Sequence, residues 1–370
     1  LRLLPFLGWL AMLAALAWLG RQAGLDGIRR LALVAVAAVN PILFEFGAFV
    51  RGYSLLIALA AVAVGLTLRR QSDRESDVPW LLLATLVAAT WLHYFAWPVV
   101  GAIVLSLAWN RRWRDAVLCT AVPVIAFLPW VVAVARSDAE VAAVGASLSF
   151  VTTPGVLDLL TAPAMLLAPE PDLLVAVILA IVGWEAVVRW RMRGGDLAVP
   201  LVVILPIAMA FLATTLTPLG TWGSRYLAVA LPALLLCLVA ATVHSPRIGT
   251  VYLAFIGAFG VLGILAPPNT PTPWREVLTR VEGPEPVYAS EGFVILPLRF
   301  QAHERQAAVN VIEVPGMPPA AAAPGWVLVR PTMLPEGYQP TDALRSVGRT
   351  VTDSFAMGEG RLEVRGWKFR

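Results

Sequence analysis

Charged residues are scarce in this sequence. Asp, Glu, Lys and Arg together make up 14% of the 370 residues, and Lys368 is the single lysine. Soluble domains carry about 25% charged residues, so the composition excludes a soluble fold for most of the chain. The net charge is +4, but the basic residues lie in short loops between apolar runs rather than on one soluble face. The sequence therefore predicts no nucleic-acid partner.

Cysteine and glycine motifs are also sparse. The two cysteines, Cys119 and Cys237, lie inside apolar segments, and their positions give neither a disulfide framework nor a zinc-ligand spacing. The sequence contains no glycine-rich nucleotide-binding loop. It also shows no internal repeat of the kind on which inverted-repeat transporters are built.

Long apolar runs dominate instead, because 59% of the residues are hydrophobic. A spanning helix needs about 20 mostly apolar residues, and the runs predict an all-α polytopic membrane bundle over residues 1–266 with about ten transmembrane helices. The predicted spans are 3–20, 31–46, 53–69, 79–95, 97–109, 116–135, 173–189, 197–216, 226–243 and 248–266. The fifth is short enough to be a half-span, and the Asn-Pro pair inside the second predicts a kink or an early end.

The loops between these spans predict the orientation. Alternate loops hold thirteen Arg, whereas the other set holds only Arg51, Arg136 and Arg225. Because basic loops stay in the cytoplasm, residues 45–53, 91–97 and 221–226 are predicted to lie on the opposite, outer face. The protein is then expected in the plasma (inner) membrane, with membrane lipids around it.

Two outer features follow from this topology. The loop at 136–172 contains "VLDLLTAPAMLL", which is typical of a short helix at the membrane interface. Residues 267–370 begin with a Pro-rich exit and continue with "PVYAS", "AAVNVIEV", "WVLVRP" and "RLEVRGWKF". Such short apolar segments between Pro and Gly turns predict a small extracytoplasmic α/β domain.

Ionisable side chains gather in three of the outer turns. They are Glu45, Arg51 and Tyr53 in "FEFGAFVRGY", His93 in "WLHYFAW", and Arg225 with Tyr226 in "GSRY". Polar groups at membrane level indicate a functional site, and guanidinium groups bind phosphate oxygens. All of them except Glu45 also have a structural explanation: the Arg side chains could reach lipid headgroups, the Tyr residues and Tyr94 could form an aromatic belt, and His93 could be a packed histidine. Glu45 is the hardest to explain in this way, because a carboxylate next to two Phe needs a cation or a metal.

Several of these segments, in this order, resemble the GT-C superfamily of integral-membrane glycosyltransferases. The similarity is to bacterial relatives of the protein O-mannosyltransferases and of the lipid A aminoarabinose transferases, and it covers most of residues 1–280. It is carried by "AAVNPILFEFGAFVRGYSLL", "WLHYFAW", "FLPWVVAVAR", "GSRYLAVALPALLL" and "TPWREV".

The resemblance implies an inverting transfer of a sugar from a polyprenyl-phosphate or polyprenyl-diphosphate donor to a lipid, glycan or protein acceptor on the outer face. Arg51 and Arg225 are then expected to bind the leaving phosphate, with Tyr53 and Tyr226 as orienting donors. Glu45 and His93 are candidates to orient the acceptor or to bind a divalent metal ion. The family's catalytic acidic residue lies in a first outer loop that would precede Leu1. We therefore expect either an N-terminally truncated sequence, which we favour, or a lost catalytic base.

Three other functions stay open at the level of sequence. A transporter or lipid flippase would need polar groups near the middle of the bilayer, where the predicted spans hold few charges. A related outer-face enzyme, such as an O-antigen polymerase or ligase, would also use outer Arg residues. A non-catalytic membrane protein would need none of the residue roles expected for sugar transfer.

Overall fold

The computed structural model describes residues 3–48, 52–72, 77–136, 153–168, 173–217, 221–242, 246–265, 273–289, 292–314, 322–330, 339–358 and 363–370. The chain divides into two compact units, Leu1–Ala266 and Pro267–Arg370. The first unit is helical in its described residues, and the second combines helices with a five-stranded sheet.

The helices of the first unit follow the apolar runs. In chain order they are α1 (Leu3–Gln22), α2 (Gly27–Val39), α3 (Pro41–Ala48), α4 (Tyr53–Ser72), α5 (Trp80–Leu92), α6 (Trp97–Trp109), α7 (Trp113–Ala135), α8 (Val156–Leu167), α9 (Leu173–Met192), α10 (Ala198–Leu216), α11 (Ser224–Leu227), α12 (Leu231–Ala241) and α13 (Pro246–Leu265).

The number of predicted spans is not confirmed. Within the described residues, five helices are long and apolar enough to cross a membrane: Tyr53–Ser72, Trp113–Ala135, Leu173–Met192, Ala198–Leu216 and Ser224–Ala241. A bent pair, α2 with α3, raises this to six if the pair forms one span. Helices α5 and α6 have 13 residues each, or about 20 Å, which is short of the roughly 30 Å hydrocarbon core. The element predicted at 79–95 is therefore shorter than expected, because the chain leaves the α-helix at His93. Helix α6 has the predicted bounds 97–109 and the length of a half-span.

The predicted break at the Asn-Pro pair is confirmed. The axes of α2 and α3 differ by 68°. Pro41 disfavours a helical conformation for the residue before it, and Asn40 takes an extended ψ of 122°. The Asn40 Oδ1 then accepts from the amide of Leu43 at 3.1 Å, so Asn40 ends one helix and caps the next.

The helical unit packs around a few deeply buried elements. Helix α1 lies along α4, where Gly65 accommodates the ring of Trp18; a Cβ at that glycine would come within 2.3 Å of the ring. Most residues of α4 and of the 224–241 segment are buried. Helix α7, in contrast, exposes apolar side chains such as Ile125 and Leu128, as expected of a helix that faces lipid.

The predicted helix in "VLDLLTAPAMLL" is present as α8. One side of α8 is buried against α9, with Ala162, Ala164 and Leu166 inside the core. Val156 and Leu160 remain exposed on its other side. Helix α9 contains an i,i+4 ion pair, because Arg189 Nε donates to Glu185 Oε1 at 2.8 Å.

The second unit contains β1 (Pro286–Ala289), β2 (Asn310–Glu313), β3 (Gly325–Val329), β4 (Val351–Met357) and β5 (Val364–Phe369), with helices α14 (Trp274–Val281), α15 (Gly292–Arg305) and α16 (Pro340–Ser346). The strand order is β2-β1-β3-β5-β4. Strand β1 runs parallel to β2 and β3, and β5 runs antiparallel to β3 and β4. The α/β character predicted for this region is confirmed. Four strands lie in the predicted segments, and β4 was not predicted.

Hydrophobic cores lie on both faces of this sheet. Val277 of α14 and Leu298 of α15 pack with Trp326 on one face. Leu344 of α16 packs with Val327 and Tyr288 on the other. Strand β3 is buried along its whole length, which explains why its sequence is continuously apolar rather than alternating.

Candidate functional site

Side chains from three separate turns meet at one end of the helical unit. Tyr53 begins α4, His93 follows α5, and Tyr226 lies in α11. Ring centroids of Tyr53 and His93 are 5.4 Å apart, those of His93 and Phe95 are 5.2 Å apart, and those of Phe95 and Tyr226 are 4.4 Å apart. We call the continuous set of rings the aromatic cluster; its members are Phe46, Tyr53, His93, Tyr94, Phe95 and Tyr226.

His93 shapes the turn that carries half of this cluster. Its backbone is extended, with φ −163° and ψ 135°, so α5 ends there. Its Nδ1 accepts from the amide of Phe95 at 3.2 Å and caps the short 3₁₀ helix Tyr94–Ala96. Pro98 lies in the first turn of α6, where the missing amide hydrogen costs nothing. The imidazole is thus oriented by the backbone that it caps.

Arg225 is held against its neighbour in the sequence. Its Nη2 donates to the Tyr226 hydroxyl at 2.6 Å, and its guanidinium carbon lies 4.5 Å from the centroid of the Tyr226 ring. Tyr226 is buried and stacks on Phe95. A cation–π contact and a hydrogen bond to one anchored side chain limit the positions that the guanidinium can take.

Tyr94 belongs to this site, although the sequence suggested an aromatic belt for it. It is the most exposed Tyr of the cluster, at 43%. Its hydroxyl interacts electrostatically with Tyr226, Tyr53 and Arg225. The sequence feature that points to a site role is the position of Tyr94 next to His93 in "WLHYFAW". That feature does not separate a site residue from an aromatic-belt residue, because both would have the same local sequence.

The other two predicted site residues are Arg51 and Glu45. Arg51 lies outside the described residues. Glu45 is exposed on α3, one position before Phe46, whose ring centroid is 5.0 Å from that of Tyr53. The kink at Asn40 therefore brings the helix of Glu45 to the edge of the aromatic cluster.

The suggested metal ion stays a prediction. Among the residues that the structure describes, no group of three or more His, Cys, Asp or Glu side chains could hold a metal ion. The Nδ1 of His93 already accepts a backbone hydrogen bond. We therefore derive no chemical step through a metal.

The opposite end of α4 carries a second polar group that the sequence did not reveal. Arg70 Nε lies 3.0 Å from Asp115 Oδ2, and both side chains are only 8% exposed. Arg112 lies 3.8 Å from the same carboxylate oxygen and also donates to the Arg70 carbonyl. Seventeen residues separate Tyr53 from Arg70 on α4, or about 25 Å along the axis. The aromatic cluster and this ion pair therefore lie at opposite ends of the helix.

A short chain of hydrogen bonds lies beside the ion pair. Gln71 Nε2 donates to Ser106 Oγ, and Ser106 Oγ donates to Asp196 Oδ1, each at 3.0 Å. Burial raises the pKa of Asp196, while hydrogen bonds from Ala198 and Ser106 and the nearby Arg191 act in the opposite direction. These contacts bring three of the predicted basic loops, 69–77, 110–115 and 189–196, to the same end of the bundle.

The interior below the aromatic cluster is apolar. A narrow gap between helices is lined by apolar side chains, among them Leu56, Ala96 and Val229. Each of these three residues lies within one helical turn of a cluster member. The polar side chains of the aromatic cluster therefore do not continue into the bundle along that gap.

Comparisons of this chain with protein-family models, curated proteins and solved structures found no match. The functional conclusion therefore depends on the geometry above and on the resemblance of the sequence segments.

Proposed function

We propose that this protein transfers a sugar from a polyprenyl-phosphate or polyprenyl-diphosphate donor to an acceptor at the outer membrane face. The observation that carries the proposal is the position of Arg225. A guanidinium is fixed by Tyr226 within a cluster of aromatic rings, at the end of an apolar bundle. A cation at that level suits the phosphate of a lipid whose chain lies among the surrounding helices.

In such a transfer, the bond between the anomeric carbon and the acceptor oxygen forms as the bond to the phosphate oxygen breaks. The phosphate leaves with the electron pair, and the acceptor proton passes to a carboxylate base. Arg225 would stabilise the charge that develops on the leaving phosphate, because a preorganised donor acts strongly in a site with little water. Tyr226 would hold the guanidinium in place, and Arg51 would be the second cation. Among the described residues we assign no carboxylate to the proton transfer.

The aromatic rings have a separate role in this proposal. Tyr94 presents a partly exposed ring beside His93 and near Arg225. Tyr53 is buried behind His93. Exposed rings at this level can pack against the transferred group, while the buried rings fix the geometry of the turn.

The buried polar groups favour an enzyme over a transporter. Within the described residues, the buried hydroxyls of Thr67, Thr85 and Thr90 donate to carbonyls of their own helices. The buried charges, Arg70 and Asp115, lie near helix ends. A transport route would need polar groups that face one another near the middle of the bundle.

The side of the membrane is part of the proposal. The basic loops that meet near Arg70 and Asp115 are those expected in the cytoplasm. The aromatic cluster, at the other end of α4, would then face the outside, as would the unit Pro267–Arg370.

The test measures sugar transfer in proteoliposomes, with a labelled polyprenyl-phosphate sugar as donor. Arg225→Ala and Arg51→Ala should each lower the rate by about 10²-fold or more. Arg136→Ala is the matched control, because Arg136 is an exposed Arg at the end of α7 on the predicted outer side, and it should keep the wild-type rate. Full activity of both site variants would refute the assignment, and a wild-type protein without transfer would favour a non-catalytic membrane protein.

A further inference from the structure

A pair of buried threonines anchors the chain just before Arg225. Thr214 lies in the last turn of α10, and its Oγ1 accepts from the amide of Thr221 at 3.0 Å. The two hydroxyl oxygens are 3.1 Å apart, and Thr221 Oγ1 also donates to the Ala210 carbonyl at 3.2 Å. Both residues are buried, at 8% and 7% exposure. We call this pair the threonine clasp.

The residue after the clasp is anchored to the same helix. The ring of Trp222 is buried and meets Phe211 of α10 edge to face, with centroids 5.9 Å apart. Gly223 follows in an extended conformation, with φ 168° and ψ 155°, and then α11 begins. Arg225 is therefore only four residues beyond Thr221.

Arg225 has a second anchor on its other side. Tyr226 stacks on Phe95 of the aromatic cluster. The short segment from Thr221 to Tyr226 is thus fixed to α10 at one end and to the turn between α5 and α6 at the other. In the sequence, Arg225 lies between these two anchored points, so the position of its backbone depends on both.

The bonding of Thr214 differs from that of other buried threonines. The hydroxyls of Thr67, Thr85 and Thr90 donate to the carbonyl four residues earlier in their own helices, which is the common arrangement for threonine inside a helix. Thr214 instead bonds to the backbone and side chain of Thr221, seven residues away. A hydroxyl that satisfies a backbone amide outside its own helix determines where that segment lies.

We propose that Thr214 is a positioning residue that holds Arg225 in register with the aromatic cluster by fixing Thr221. The inference rests on the proposed function for its effect on catalysis, whereas its effect on the position of Arg225 is independent of that function. Small displacements of a charge-stabilising group lower rates steeply, so loss of the clasp should act on the chemical step more than on substrate binding.

The experiment compares three variants of the full chain in detergent and in proteoliposomes. Thr214→Val keeps the shape and removes the hydroxyl, and Thr214→Ser restores the hydroxyl. Thr215→Val is the matched control, because the Thr215 hydroxyl donates to Phe211 within the same helix at 2.9 Å. Hydrogen exchange followed by mass spectrometry reports on the Thr221 amide, and the rate of Arg225 modification by phenylglyoxal reports on the guanidinium.

We expect Thr214→Val to speed both exchange at Thr221 and modification of Arg225. The kcat of sugar transfer should fall by about 10-fold with a smaller change in KM, consistent with a misplaced catalytic group. Thr214→Ser should return the exchange rate, the modification rate and the kcat most of the way to the wild-type values. Thr215→Val should resemble the wild type.

Unchanged exchange and unchanged modification in Thr214→Val would overturn the inference. Faster modification together with a normal kcat would overturn the catalytic part of the inference, since sugar transfer would then not need Arg225 in the position that the clasp gives it. If the wild-type protein transfers no sugar but Thr214→Val still exposes Arg225 to the reagent, the proposed function fails and the clasp is upheld as the support of Arg225.

Discussion

The side-chain amide of Asn40 donates from Nδ2 to the Leu166 carbonyl at 3.0 Å and so joins residues 126 positions apart in the chain. The same side chain caps α3 through Leu43, and Asn40 is only 1% exposed. Leu166 lies in the last turn of α8, where carbonyls lack partners within the helix. One side chain therefore satisfies the start of one helix and the end of another, and it fixes α3, with Glu45 and Phe46, beside Tyr53.

Replacing Asn40 should destabilise the helical unit. Asn40→Ala removes a helix cap and leaves the Leu166 carbonyl without its donor, so we expect a loss of about 2 kcal/mol. Asn40→Ser keeps a capping oxygen for the Leu43 amide, loses the donor to Leu166 and adds no charge, so its loss should be smaller. Equilibrium unfolding in mild detergent measures both. Asn110→Ala is the control, because Asn110 Nδ2 bonds within its own turn to Ser106 at 2.9 Å; an equal loss in this control would contradict the bridging role.

The buried pair of Arg70 and Asp115 should show strong coupling. Asp115→Leu alone leaves a buried guanidinium without its carboxylate, and we expect a loss of about 3–5 kcal/mol. The double variant Arg70→Met with Asp115→Leu should recover much of that loss, because an apolar pair has no charge to desolvate. A double-mutant cycle from unfolding measurements gives the coupling energy. Additive losses would show that the two charges do not depend on each other.

Tyr226→Phe should distinguish the role of the Tyr226 hydroxyl, which orients Arg225, from the role of the Tyr226 ring in packing. The variant loses the hydroxyl that accepts from Arg225 at 2.6 Å but keeps the ring that stacks on Phe95. We expect sugar transfer to slow by about 10-fold, or about 1.4 kcal/mol, because the guanidinium loses one of the contacts that orient it. The stacking of the ring on Phe95, which supports the fold, is kept. The control is Tyr288→Phe in the second unit, whose hydroxyl donates to Ala323 at 3.1 Å. An unaltered transfer rate in Tyr226→Phe would remove the orienting role of the hydroxyl.

Asp196 should make stability depend on pH. Its pKa is raised in the folded state, mainly by burial, so the folded protein holds the proton more tightly than the unfolded chain does. The stability contribution is therefore greatest below the unfolded pKa and is lost as pH rises through the raised folded pKa. Asp196→Asn retains an oxygen that can accept from Ala198 and Ser106, and it removes the charge.

The measurement compares unfolding of the wild type and Asp196→Asn from pH 4 upwards. We expect the variant to become the more stable of the two as pH rises. Asp158→Asn, at an exposed carboxylate near the start of α8, should not show the same trend. A pH-independent difference between wild type and Asp196→Asn would contradict the effect of burial.

Much of the fold could be predicted because its signals are local. Apolar runs predicted most helix positions, and the Asn40-Pro41 pair predicted the break between α2 and α3. Apolar segments between turns predicted four of the five strands. Strand β4 was missed because "VTDSFAM" has three polar residues in a row, Thr352 to Ser354, and lies at an edge of the sheet where its side chains are at most partly buried. The count of ten spans was not confirmed, since composition does not reveal that the chain turns at His93 after only 13 helical residues.

The candidate site, like the fold, could be predicted from the sequence only in part. Polar residues in three turns, predicted to lie on the outer face, could be recognised from their positions in the sequence. Their contacts could not, because the stacking of Phe95 on Tyr226 and the clasp of Thr214 with Thr221 depend on how α5, α10 and α11 pack. Arg70 and Asp115 looked like ordinary loop charges until packing buried them together.

The amino-acid sequence by itself determined an apolar helical chain followed by an α/β segment, and it determined where helices break. Hydrophobicity, proline and helix caps act over a few residues, so their effects are visible in any short window. Only the tertiary structure decided that Asn40 reaches Leu166, that Asp115 pairs with Arg70, and that Arg225 lies on Tyr226 between two anchors. Those contacts join residues brought together by the burial of whole helices, and no local pattern specifies which buried polar groups will meet.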